Sequence, residues 1–142
     1  MINFLAPLNN TTGYGITSTN IWQQIRKNTD VAVFPIGQIA LENPNHQDIL
    51  QQDIAKTLTG DTANYPCVKI WHMHDLMTRI GNGKFGVFPF FEIDKLKPVE
   101  VAGLKHADVV FTTCEWSKNI IANHGIDDAK IKICPLSSCT SF

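Results

Sequence analysis

The sequence predicts an α/β fold in a single domain, with a parallel sheet sandwiched by helices. Three observations predict it. Short apolar runs alternate with segments of helical period, the pattern of repeated βαβ units. Two of the runs, residues 30–36 (DVAVFPI) and 108–113 (DVVFTT), are apolar almost without a break, as strands buried on both faces are. The length of 142 residues suits one domain, and a chain of that size buries about two-thirds of its unfolded surface.

Taken in order, residues 2–7 read as a first strand. A glycine turn, Thr11-Thr12-Gly13-Tyr14-Gly15, follows. Residues 16–27 carry Ile21, Trp22 and Ile25 at helical spacing. The second strand, 30–36, should end near Pro35, which cannot donate to a ladder. Residues 46–59 place Ile49, Leu50, Ile54 and Leu58 on one helical stripe, with Gly60 as the residue past the helix end. Strands are expected at 67–73 and 84–91. Pro98 fits the first turn of a helix running to His106. A strand at 108–113, a helix at 117–124 ended by Gly125, and a last strand at 130–134 stopped by Pro135 complete the series. This is a Rossmann-like arrangement over residues 1–136, with 137–142 (SSCTSF) reading as the start of a linker or a tail.

Composition narrows the function classes. Hydrophobic residues are 44%, charged residues 18% and the net charge is −1, so nothing argues for nucleic acid or an anionic membrane as partner. The apolar start is short, lacks a basic region and is broken by Pro7, so it reads as a strand and not a signal peptide. No run is long enough for a membrane span, and the expected location is the cytoplasm. Cys67, Cys114, Cys134 and Cys139 form no C-x-x-C pair. The first three sit in or beside apolar stretches, where cysteine is usually a small buried hydrophobe. No disulfide and no metal site are expected.

Four segments could carry chemistry. Gly13-Tyr14-Gly15 lies between a strand and a helix, where glycine lets a ligand approach the amides and the helix dipole favours an anion. Ser18 stands where the third glycine of a dinucleotide fingerprint would be, and such turns also occur with no ligand. His72 and His74, in WHMHD, should share one face of a strand at its carboxyl end. With Asp75 they could approach a metal, but no third ligand stands at a telling spacing, and a crevice-lining role for sugar hydroxyls or phosphate is the reading preferred. Glu92, in FFEID, either accepts hydrogen bonds from a ligand, or else Glu92 or Asp94 simply caps or precedes the helix near Pro98. In TCEWSK, Thr113 is the expected N-cap, Trp116 a staple of helix to sheet, and Cys114 structural, since no basic partner for a nucleophile is evident.

These segments, in this order, resemble the N-terminal domain of GT-B glycosyltransferases of the large retaining group. The most specific stretch is residues 106–136, HADVVFTTCEWSKNIIANHGIDDAKIKICPL, and the resemblance extends from Ile2 to Leu136. It implies a domain that holds the sugar acceptor, while a C-terminal domain holds the nucleotide-sugar donor. It implies that the loop of Gly13, Tyr14 and Gly15 faces the donor diphosphate, and that His72, His74 and Glu92 line the acceptor cleft. Glu92 and His74 are then the candidates for catalysis. Many members have a histidine where Glu92 stands, and a serine where Cys114 stands. Glu92 and Glu100 have the spacing of the family's Glu-x7-Glu donor motif, but in the wrong domain, and that spacing reads as coincidence.

The resemblance stops near the junction with the second domain, so the chain is expected to be inactive alone. No tightly bound cofactor is expected, and the nucleotide sugar is a co-substrate. A former interdomain face would favour a homo-oligomer. Two other readings stay open: a non-catalytic binding or self-assembling module, and a flavodoxin-like nucleotide-binding domain.

Overall fold

The computed structural model describes residues 1–136. The expected linker at 137–142 and Cys139 lie outside them. The fold class is the α/β, Rossmann-like one read from the sequence: parallel strands alternate with helices. The chain forms two compact units, residues 1–70 with 79–84, and residues 71–78 with those from 85 on.

The first unit contains strand β1 (Ile2–Ala6), helix α1 (Gly13–Arg26), strand β2 (Val31–Pro35), helix α2 (Pro44–Thr59) and most of strand β3 (Cys67–His72). β1 lies between β2 and β3, both parallel to it, with Ile2 opposite Val31 and Asn3 opposite Cys67. Phe4, Ala6, Leu8, Trp22, Val31, Ala32, Val33 and Leu50 form its buried core. β2 ends on Pro35, as expected of a residue without an N–H.

Helix α1 starts three residues earlier than its apolar period. The Thr12 hydroxyl accepts from the Gly15 amide at 3.0 Å, so Gly13-Tyr14-Gly15 is the first helical turn and not a turn ahead of it. Helix α2 starts at Pro44, capped by the Asn43 side chain on the Asn45 amide. Its inward stripe also differs. Leu50 and Asp53 are fully buried, whereas Leu58 is 88% exposed. At 100° per residue, Leu58 stands about 110° around the helix from the middle of that pair. Gly60 closes α2 in an extended conformation and not a left-handed one.

The second unit contains the end of β3, strand β4 (Phe85–Phe90), helix α3 (Pro98–His106), strand β5 (Val109–Thr112), helix α4 (Glu115–Asn123) and strand β6 (Ile131–Ile133), with a 3-10 turn at Asp128–Lys130. β5 lies between β4 and β6, parallel to both, with Gly86 opposite Val109 and Val110 opposite Ile131. Phe85, Val87, Leu104, Val110, Ile121 and Ile131 fill its core. Gly125, at φ 89°, ends α4 as expected. α4 begins two residues before the expected start, and its N-cap is Cys114 instead of Thr113.

Candidate functional site

In the first unit, the turn between β1 and α1 is built around Asn9. Its side-chain oxygen accepts from the amides of Thr11 and Thr12, at 3.1 and 2.9 Å, and from both threonine hydroxyls. A Cβ on Gly15 would lie 2.2 Å from that oxygen and 2.6 Å from the Asn9 carbonyl. Gly15 is therefore glycine because Asn9 packs on it, and its φ is not positive. Gly13 differs: a Cβ there would meet nothing within 4 Å. An anion approaching this turn would find the Gly15 amide already bonded and open space at Gly13. Ser18, at the place of the third fingerprint glycine, is fully buried in α1.

In the second unit, the candidate residues come from the loops after β3, β4 and β5, at the carboxyl ends of parallel strands. This is where α/β sheets hold ligands. β3 ends at His72, and His74 lies in the turn that follows, exposed. The two imidazoles still meet, stacked with centroids 5.3 Å apart and planes 15° apart. Trp71 meets His72 edge-on at 4.5 Å. The turn is closed by the Asp75 amide donating to the His72 carbonyl at 3.2 Å and by the Thr78 hydroxyl donating to Asp75 at 3.1 Å. Among the described residues, no three His, Cys, Asp or Glu side chains gather as a metal site.

Glu92 lies two residues past β4, exposed. It does not cap α3. That role belongs to Glu100, a buried residue whose carboxylate accepts from the Lys97 amide at 2.7 Å. The loop carrying Glu92 is pinned at its far end by His124. Leu96 donates its amide to His124 Nε2 at 3.1 Å, and His124 Nδ1 donates to the Ile120 carbonyl at 2.7 Å. A carbonyl can only accept, so Nδ1 supplies the proton there, and Nε2 presents its lone pair to the Leu96 amide.

The loop after β5 departs most from expectation. Among the described residues, Cys114 and Cys134 are exposed and Cys67 is buried. The Ser117 hydroxyl lies 3.0 Å from the Cys114 carbonyl and 3.4 Å from its sulfur and can turn its one proton to either, while Thr112 donates to Ser117. The Ser117 hydroxyl and amide, followed by Thr113 and the Trp116 amide, hold the Cys114 thiol below the ordinary range. The lowering comes from hydrogen bonds at the start of α4 and not from a cation. Burial pushes the Cys67 thiol up. Trp116 does not staple α4 to the sheet. It is 49% exposed and stacks on Phe91, with centroids 6.0 Å apart and planes 29° apart.

Sequence reasoning missed Asn9, Phe91 and His124 as organising residues. Asn9 had a local signal, an asparagine two and three residues before a threonine pair. Phe91 and His124 act across 25 and 28 residues of chain, and no local pattern marks such partners. No family model and no curated protein matches the chain.

Proposed function

We propose that the chain is the acceptor-side domain of a nucleotide-sugar-dependent glycosyltransferase of the GT-B kind. The observation that carries the reading is the ordered set of motifs, with His72, His74 and Glu92 at or just past the carboxyl ends of parallel strands. Carboxylate and imidazole groups there suit recognition of hydroxyls. In this reading His72 and His74 line one wall of the acceptor cleft and Glu92 accepts from the acceptor. Glu92 and His74 are the candidates for moving a proton from the attacking hydroxyl. The start of α1 faces the donor diphosphate, at Gly13 and Tyr14 more than at the Asn9-filled Gly15.

Transfer also needs stabilisation of the leaving diphosphate, which the donor side supplies in this family. The pure 142-residue protein is therefore expected to bind glycans and to transfer no sugar by itself. A glycan panel read by binding tests the first point, and radiolabelled nucleotide sugars with glycan acceptors test the second. Absence of glycan binding across the panel contradicts the acceptor assignment, and measurable transfer contradicts the inactivity.

A second reading, a self-associating module, is favoured by Met77, Ile93 and Val99, each about half exposed in the second unit. Gel filtration separates the two: a strict monomer at high concentration removes it.

A further inference from the structure

We infer that Trp116 and Phe91 form an aromatic seat for one pyranose ring, with Glu92 accepting hydrogen bonds from that ring's hydroxyls. The inference rests on the glycosyltransferase reading and names a binding subsite within it.

An indole left 49% exposed on the first turn of a helix is unusual for so large an apolar group. Trp116 is not loose. Phe91 stacks on one side of it at 6.0 Å. The turn that carries it is closed by Ser117, which is buried and bonded to Thr112 and Cys114. The loop that carries Phe91 is tied down at Leu96 by His124. A ring already held in place loses little freedom when a ligand lands on it.

Phe91 comes from the loop after β4 and Trp116 from the first turn of α4, which follows β5, so both lie past the carboxyl ends of neighbouring strands. Carboxylates flank the pair: Glu92 follows Phe91, Glu115 precedes Trp116, and both are exposed. A pyranose has an apolar C–H face and a rim of hydroxyls. The face fits an aromatic ring, and the rim fits carboxylate acceptors and the indole N–H. A quaternary ammonium would also fit aromatic rings beside acids. The charge of the 91–97 loop argues for the neutral ligand, since Glu92 and Asp94 are matched there by Lys95 and Lys97. Glu115 adds one carboxylate beside Trp116, so a cation is kept as an arm of the test.

The test is a nuclear magnetic resonance titration of the whole chain, with methyl glycosides of glucose, galactose, mannose and N-acetylglucosamine, and with tetramethylammonium. The Trp116 indole N–H is assigned by its loss in Trp116→Phe. At least one glycoside should move it saturably. Trp116→Ala and Phe91→Ala should each weaken that binding by about tenfold, and Trp116→Phe by less. A glycoside that shifts residues 72–75 while leaving the Trp116 indole unmoved overturns the seat and leaves the glycosyltransferase reading standing. Movement by tetramethylammonium with none by any glycoside also overturns the seat, as a cation site. If no glycoside moves any resonance, the seat and the acceptor assignment fall together.

Discussion

The indole N–H of Trp22, on α1, donates to a carboxylate oxygen of Asp53, on α2, at 2.8 Å, and both residues are fully buried. Asp53 also accepts from Arg26 at 2.5 Å and from Lys56 at 3.0 Å, and Lys56 reaches Asp30 at 3.2 Å. The network joins the two helices of the first unit. Removing the carboxylate strands a buried indole N–H and takes the carboxylate partner from Arg26, while Lys56 keeps Asp30. Asp53→Ala should cost about 3–5 kcal/mol in urea denaturation, with Asp53→Asn losing less because an acceptor for Trp22 remains. Burial alone would lower the Lys56 ammonium, but Asp53 and Asp30 outweigh it and hold its pKa above the ordinary 10.5. A raised lysine stabilises below its unfolded pKa. That contribution is present at neutral pH and is lost only as pH rises through the folded value.

The two glycines at the start of α1 should respond oppositely to alanine. Gly15→Ala drives a Cβ into Asn9, including its backbone carbonyl, and should destabilise by about 1–3 kcal/mol. Gly13→Ala meets open space in a helical conformation and should be neutral, or stabilising by up to about 1 kcal/mol. Thermal melts of the two variants decide it. Equal losses would mean that Gly13 has a steric role as well.

Cys114 should be the most readily alkylated thiol of the described residues. Its lowered pKa makes thiolate available at a pH where an ordinary thiol is still protonated. In a timed iodoacetamide reaction read by mass spectrometry, its rate–pH curve should lie to the acid side of that of a free thiol. Ser117→Ala should move the curve to higher pH. Cys67, buried and with a raised pKa, should stay unlabelled while the protein is folded. Labelling of Cys67 ahead of Cys114 would contradict this arrangement.

His124 should act as a fastener of the loop that carries Phe91 and Glu92. His124→Ala leaves the Leu96 amide without its acceptor and should cost about 1–3 kcal/mol. Amide hydrogen exchange should then rise at Leu96 and through residues 91–97. Unchanged exchange there would show that the loop is held by other contacts.

The fold was legible because short apolar runs alternate along the chain with segments of helical period or with a proline or glycine that marks a helix end. Helix starts were less legible. The first turns of α1 and α4 are set by hydrogen bonds of Thr12 and Ser117, and these residues read as loop in an apolar count. Asp53 was hidden for a related reason: an acid on a helix is expected in water until its partners, Trp22 and Arg26, are seen. At the candidate site, the pairing of His72 with His74 followed from their spacing, although a turn and not a strand brings the second one round. The stacking of Phe91 on Trp116 was not readable, because it joins a loop to the first turn of α4 through the tertiary fold.

The central claim is that this domain holds a sugar acceptor at the carboxyl ends of its second-unit strands. Backbone amide shifts, mapped with the glycan that binds most tightly, test it most directly. The account predicts shifts concentrated in residues 72–76, 91–97 and 113–117. Shifts gathered instead around residues 84–86 and 107–109, at the amino ends of β4 and β5, would contradict it.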